Sequence, residues 1–247
     1  MRIALIGHGK MGKELEKAAI AKGHEVVLII TEENLQDFEK LSTIKPDVAI
    51  DFTTPATVID HINKCFDAKI PLVVGTTGWY DKLPEVKKQC EAGGHSFIYA
   101  SNFSIGVNIM FEVNRMLAKM MNSQADYDVS IEEIHHTQKL DSPSGTAITI
   151  AGDIIERLDR KKGWIGTESD YNKEHYNNSK DLVIKSARLD NVVGTHIVTY
   201  QSAIDKLELK HEASSRAGFV QGALVAAEWI VGKKGFYTMQ DLLGKES

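Results

Sequence analysis

Over roughly its first hundred residues the chain alternates short apolar runs with amphipathic stretches, and few folds accept that rhythm. Apolar runs of strand length, each followed by a helical pattern, give parallel strands joined by crossover helices that cover both faces of the sheet. Residues 3–6 read as the first strand, 10–22 as a helix and 25–30 as the second strand. Residues 47–51 form the next strand, and 56–67 a helix with Pro55 suited to its first turn. Residues 71–75 are a strand, 83–92 a helix stopped by Gly93 and Gly94, and 97–100 a further strand. The expectation is an α/β fold with a Rossmann-like, doubly wound parallel sheet.

After about Ser104 the texture changes. Residues 108–122 carry apolar side chains at 109, 110, 113, 116, 117, 120 and 121, a methionine-rich helical stripe that core packing explains. Strand-like stretches follow at 127–134, 181–189, 192–203 and 207–211. In the last, Leu207 and Leu209 alternate with Lys206, Glu208 and Lys210, as in a half-buried strand. This region reads as an inserted α+β domain built on an open mixed sheet. Residues 160–180 are polar and read as a mobile loop, and a last helix spans 218–231 before Gly232.

The length of 247 residues suits one large domain or two modest ones, and apolar and charged contents of 43% and 26% are those of a globular chain, which excludes disorder and low-complexity architectures. Lys and Arg number 29 against 34 Asp and Glu. A net charge of -5 argues against nucleic acid and acidic membranes as partners, so any anion must be held by local chemistry. Only four apolar residues precede Gly7, too few for a secretion signal, and Cys65 and Cys90 read as reduced thiols, so the expected location is cytoplasmic.

Two segments supply that chemistry. Gly7-His8-Gly9-Lys10-Met11-Gly12 lies between the first strand and first helix, where a dinucleotide fingerprint must sit. Gly7 permits the tight turn, Gly9 admits the pyrophosphate, and Gly12 allows close packing, while the N–H groups of the helix start face the phosphates. Glu32 follows 20 positions after Gly12, placed to hold a ribose hydroxyl. It and Glu33 would repel a 2′-phosphate, which favours NADH, although Lys10 offsets part of that. Gly75-Thr76-Thr77-Gly78 and Ala100-Ser101-Asn102-Phe103 end further parallel strands and should face the same crevice.

The second segment runs from Glu133 through His135, His136 and Lys139 to Ser144, Gly145, Thr146 and Ala147. It leaves a strand and enters a helix whose apolar face is Ala147, Ala151, Ile154 and Leu158, with Ser142 or Ser144 able to cap it. A helix start facing a lysine and an imidazole makes a compact carboxylate site, and imidazole suits proton transfer near neutral pH. Adjacent histidines diverge in an extended chain and no Cys or HExxH partner appears, so no metal is expected.

With these residues in view the chain resembles the 4-hydroxy-tetrahydrodipicolinate reductase (dihydrodipicolinate reductase) family. The signature His-His-x-x-Lys-x-Asp-x-Pro-Ser-Gly-Thr-Ala stands at 135–147, and the likeness extends to Asp51-Phe52-Thr53, Gly75 to Gly78, Ser101 to Ser104, Gly106-Val107-Asn108, Val193 to His196 and His211 to Arg216. Ser142 replaces the family's usual alanine and Thr195 its frequent glutamate. The resemblance implies hydride transfer from NADH or NADPH to C4 of a cyclic dicarboxylate, with loss of its 4-hydroxyl as water. It implies His135 as acid-base residue, Lys139 as proton donor and carboxylate contact, and His136, Ser144, Gly145 and Thr146 at the substrate. Cofactor contacts would come from Gly7 to Gly12, Glu32, Gly75 to Thr77 and Ala100 to Phe103. A homotetramer joined through the second domain's sheet is implied as well.

Residues 1–104 and 216–247 would then form the dinucleotide-binding domain, and 105–215 the substrate-binding and tetramerisation domain. Two rival readings differ in kind. One is another NAD(P)-dependent dehydrogenase of amino-acid metabolism, and the other an NAD-sensing regulator without catalysis, which would have no chemical need to keep His135, Lys139 and the helix start together.

Overall fold

The computed structural model describes residues 1–168 and 180–244. Its first strand, β1 (Arg2–Ile6), leads through Gly7 into helix α1 (Lys10–Ala21), and β2 (Glu25–Ile30) returns parallel beside it. A short helix, α2 (Leu41–Ile44), precedes β3 (Val48–Asp51), α3 (Val58–Asp67), β4 (Leu72–Val74), α4 (Leu83–Gly93) and β5 (Ser96–Tyr99). Every residue of β3 and β4 is buried, as a parallel strand covered on both faces requires. Helix α4 stops where Gly94 turns left-handed at φ 60°. Helix α3 begins two residues later than the sequence suggests, because Pro55 lies in the turn ahead of it.

The chain then enters helix α5 (Ile105–Met121), strand β6 (Asp128–His135) and helix α6 (Gly145–Arg157). Four strands follow: β7 (Gly163–Glu168), β8 (Asp181–Arg188), β9 (Gly194–Gln201) and β10 (Lys206–Ala213). They lie with β6 in the order β10-β9-β6-β8-β7, with β8 parallel to β6 and β7, and β9 antiparallel to β6 and β10. Strand β7 corrects the reading of 160–180 as a loop: Trp164 pairs with Leu182 and Ile165 with Val183, so cross-strand partners outweigh a composition that looked polar. The remainder of that segment, 169–179, lies outside the described residues.

One face of this mixed sheet carries Val129, Ile131, Leu182, Ile184, Val198 and Tyr200 against Val107, Met110, Phe111 and Ala118 of α5 and Ala147, Ile150, Ala151 and Ile154 of α6. Buried Asn114 donates to Ile150 O at 3.2 Å and fixes α5 against α6. The methionine-rich stripe is a partial correction: Met110 is buried, while Ile109, Val113, Met116 and Met120 are exposed. A stripe wider than the contact leaves one side outside it.

The chain ends with helix α7 (Ala217–Ile230), strand β11 (Gly235–Tyr237) and helix α8 (Met239–Leu242). Strand β11 pairs parallel with β5, so the first sheet has the order β11-β5-β4-β3-β1-β2. Alternate strand residues feed two cores. Ala4, Ile6, Ala49, Leu72, Val74 and Phe97 meet α3 and α4 on one face. Ile3, Leu5, Val48, Ile50, Val73 and Ile98 meet α1 and α7 on the other. Gly222 makes the docking of α7 possible, because a Cβ there would lie 1.7 Å from Phe103 O. By their contacts the residues fall into two compact units, Met1–Ile105 with Ala217–Ser247, and Gly106–Arg216.

Candidate active site

Along β6 the inward face reads Val129, Ile131, Glu133, His135, so the same period of two that buries the core delivers two ionisable groups at the strand end. Register supplies their neighbours. Glu133 stands opposite Ser186 of β8 and His196 of β9, and His135 opposite Arg188. Fully buried, the Glu133 carboxylate accepts hydrogen bonds from Ser144 N at 3.0 Å, Ser186 Oγ at 2.8 Å and Arg188 Nη2 at 3.3 Å. His135 Nδ1 approaches its Oε2 at 3.5 Å and His196 Nε2 at 3.8 Å. The two imidazoles meet edge to face with centroids 5.0 Å apart.

Burial sets the protonation of this cluster. It pushes His135 down to about 4, against the opposing pull of Glu133, and His196 down to about 3, with His135 adding to the effect. Both rings are neutral at pH 7. The Glu133 carboxyl lies below its ordinary value: burial raises it, but the donors Ser144 and Ser186 together with His135 outweigh burial. Glu133, His135 and His196 also offer ligand atoms within 4.8 Å of one another. The Arg188 guanidinium on the same carboxylate opposes a cation there.

The segment after β6 is held from the same hub. Ser144 caps α6, its Oγ accepting from Ala147 N at 3.2 Å and meeting His196 Nε2 at 3.2 Å. Both polar groups of Ser144 are thus engaged within the protein, so it shapes the helix start. Gly145 is exposed, and a Cβ there would meet nothing within 4 Å, which leaves the approach to the first turn open. Lys139 Nζ pairs with Asp141 at 2.7 Å, and Arg188 clamps that turn by donating to Lys139 O and Asp141 O. His136 points elsewhere than His135, into an open cavity of about 560 Å³ shared with Thr137, Gln138, 190–193 and Arg216.

In the other unit Gly7, His8 and Gly9 line a cavity of about 550 Å³ together with Lys13, Thr31, Glu32, Glu33, Leu35, Thr53, Thr54, Thr57 and His61. Glu32 is exposed at its rim. Lys13, one turn further along α1 than Lys10, is the lysine that reaches the cavity; Lys10 is exposed and Met11 packs into the core with α1. Thr76 is buried, with Oγ1 donating to Asp51 Oδ1 at 2.7 Å, while Thr77 is exposed. Ala100 and Phe103 are core residues, Ser101 is exposed, and Asn102 Oδ1 accepts from Ser104 N at 2.8 Å. At these strand ends backbone atoms and the exposed Thr77 and Ser101 are placed to meet a ligand.

The three glycines of the loop are not equivalent. At Gly12 a Cβ would lie 2.2 Å from Gly7 O, and at Gly7, with φ +90°, it would lie 2.3 Å from Phe52 O, whereas at Gly9 it would meet nothing within 4 Å. Gly9→Ala will therefore keep its thermal midpoint while binding reduced nicotinamide cofactor at least about tenfold more weakly, because the methyl fills space the pyrophosphate needs. Gly12→Ala will lower stability by about 1–3 kcal/mol through overpacking against a backbone carbonyl. Melting curves and cofactor titration read the two effects separately.

Several residues of these clusters carry no role in the sequence reading: Glu133, Ser186, Arg188, His196 and Arg216 in one unit, Asp51 and His61 in the other. For Glu133 a signal existed, since it stands two positions before His135 and so shares its face. For Arg188 none did, because register between distant strands is not written locally; His196 stands in the stretch 193–196 that carries the family likeness, but its place beside Glu133 comes from register.

Family models for dihydrodipicolinate reductase match the chain twice, the N-terminal model over residues 1–103 and the C-terminal model over residues 106–243. A 4-hydroxy-tetrahydrodipicolinate reductase from Christiangramia forsetii is 47% identical over 98% of this chain and 98% of its own length. The enzyme of the same description from Neisseria meningitidis serogroup B is 35% identical over 80% of this chain and 72% of its own. Among solved structures, a dipicolinate-bound dihydrodipicolinate reductase from Paenisporosarcina superposes with a TM-score of 0.79 at 26% identity, covering 96% of this chain and 97% of that one.

Proposed function

The chain belongs to the dihydrodipicolinate reductase family, and from that premise we infer its reaction and the residues that perform it. It is an NAD(P)H-dependent oxidoreductase that reduces 4-hydroxy-tetrahydrodipicolinate to tetrahydrodipicolinate with loss of water, in the diaminopimelate route to lysine. The observation that carries the reading is the gathering, at the end of β6, of a neutral imidazole, a lysine and an open helix start around one buried carboxylate. Bound in the cavity at the glycine loop, where Gly9 is open and Gly12 packs against Gly7 O, NAD(P)H supplies the hydride.

Residues of this chain do the rest. One proton enters per turnover as the 4-hydroxyl leaves as water, and Lys139 Nζ is its donor. In the free enzyme that ammonium rests on Asp141, which a substrate carboxylate would displace. His135 is the acid-base residue. Neutral while the site is empty of charge, it is driven toward imidazolium by the two carboxylates of the substrate. His136, Arg216 and the backbone at Gly145 and Thr146 hold those carboxylates, with Ser144 keeping the helix start in place. Residues 1–104 and 216–247 form the dinucleotide-binding domain, and 105–215 the substrate-binding domain.

The same domain joins four copies. On the sheet face away from α5 and α6, Ile134, Val183, Ala187 and Ile197 stand half-buried in a single chain, a surface suited to pairing with itself. A cytoplasmic location agrees with Cys65 and Cys90 being free thiols, and among the described residues no helix is long and apolar enough to cross a membrane.

The test is direct. Purified protein mixed with the condensation product of pyruvate and aspartate semialdehyde will oxidise NADH or NADPH, followed by the loss of reduced-nicotinamide absorbance. No oxidation with either cofactor sinks the assignment.

A further inference from the structure

Strand β3 ends in a carboxylate that the reaction does not use. Asp51 is fully buried, and its Oδ1 accepts from Thr53 N at 3.1 Å, Thr53 Oγ1 at 2.8 Å and Thr76 Oγ1 at 2.7 Å. Its Oδ2 lies 2.8 Å from Nδ1 of His61, itself only 4% exposed on α3. With Oδ1 taken up by three donors, Oδ2 has His61 as its partner, and Nδ1 is the ring nitrogen that donates. The imidazole is then fixed at one nitrogen and also in its plane, for it stacks on Phe38 with centroids 5.0 Å apart. Nε2 is left without a hydrogen bond among the described residues.

That ring lines the glycine-loop cavity together with Thr53, Thr54, Thr57, Thr31, Glu32 and Glu33. A purely structural pair would be an expensive choice here, since well-packed apolar side chains of similar volume serve a core as well or better than a buried charged pair. Orientation of a single acceptor toward a ligand explains the expense.

We propose that His61 is a cofactor-binding residue, held by Asp51, whose Nε2 accepts a hydrogen bond from the adenosine half of NAD(P)H. Glu32 and Glu33 line the same cavity, where an acid after the second strand marks the adenosine end, and both the adenine amino group and the ribose hydroxyls are donors of the required kind. The inference rests on the reading of this unit as the NAD(P)H site. Through Thr53 and Thr76, Asp51 also joins the turns that follow β3 and β4, so His61 is set in one frame with the Gly75-Thr76-Thr77 loop.

The test uses His61→Asn, whose amide can keep the bond to Asp51 but places nothing at the Nε2 position. NADH, ADP-ribose and nicotinamide mononucleotide are titrated against the wild-type and variant enzymes, and thermal melting is recorded on both. Expected are about tenfold weaker binding of NADH and of ADP-ribose, the worth of one hydrogen bond, unchanged binding of the mononucleotide and a near wild-type melt. His61→Gln, whose longer amide reaches the Nε2 position, will recover part of the affinity. If His61→Asn binds ADP-ribose as wild type does, or loses all three ligands in proportion, the proposal is overturned. Failure of the wild-type enzyme to bind NADH or NADPH would be a different result, removing the cofactor reading and this proposal with it.

Discussion

Lys139→Ala will lower kcat/KM by roughly 10²- to 10⁴-fold, the span that a positioned acid contributes, and will do so through both kcat and KM. Both parameters move because in its proposed role the ammonium serves twice, as donor of the proton and as partner of a substrate carboxylate. His135→Ala will also lower kcat strongly, but with a smaller change in KM, because the ring is buried and neutral before substrate arrives and contributes little to ground-state binding. Steady-state kinetics with saturating cofactor separates the two patterns. An alanine variant at either position that turns over like wild type would refute its assigned role. Lys139→Arg will not rescue, since a guanidinium holds its proton too tightly to give it up.

Glu133→Ala will cost about 3–5 kcal/mol of stability, because it strips one acceptor from three donors and leaves the Arg188 guanidinium without its carboxylate beside buried histidines. At about 2–4 °C per kcal/mol for a chain of this size, the melting point falls by roughly 10 °C. Glu133→Gln keeps one acceptor and will fall less, yet its activity will suffer with that of alanine, because an amide cannot present two acceptors to Ser144 and the helix start will shift. The same cluster makes stability depend on pH. His135 and His196 stay neutral in the fold down to about 4 and 3, while in the unfolded chain they protonate from 6.5. Their contribution is therefore complete above pH 6.5 and is lost as pH falls toward those values. Glu133, with its folded value lowered, loses its share below the ordinary carboxylate range. Urea midpoints measured from pH 7 to pH 5 should decline steadily; a flat profile would contradict the burial of the two neutral rings.

How much of this was legible without coordinates depends on the range of the interactions. The parallel sheet was, because each strand of the first unit announces itself by a local apolar run, and Gly7, Gly9 and Gly12 act within one turn of the chain. The cap of α6 was as well, since Ser144 and Ala147 are three residues apart. Strand β7 was hidden, for Gly163 and Gly166 have little strand character of their own and pair only because β8 offers an edge. Arg188 and His196 were hidden for a related reason: 53 and 61 residues from His135 by number, they meet it through sheet register alone. Lys13 in place of Lys10 is a matter of one helical turn: the two leave nearly the same side of α1, and it is the later one that lines the cavity.

The return of the chain in α7 has a consequence for how the protein is born. One face of the first sheet is sealed by Val220, Ala223, Leu224 and Ala227, side chains that leave the ribosome long after β5 has been made. At about 5–20 residues per second, the strands of the N-terminal half wait on the order of ten seconds with that face covered by α1 alone. The inserted unit is contiguous from Gly106 to Arg216 and can complete its own core in the meantime. Completion thus runs in the reverse of the order of synthesis: the inserted unit can close its core first, and the outer unit, begun earliest, is finished last and stands most in need of a chaperone while it waits.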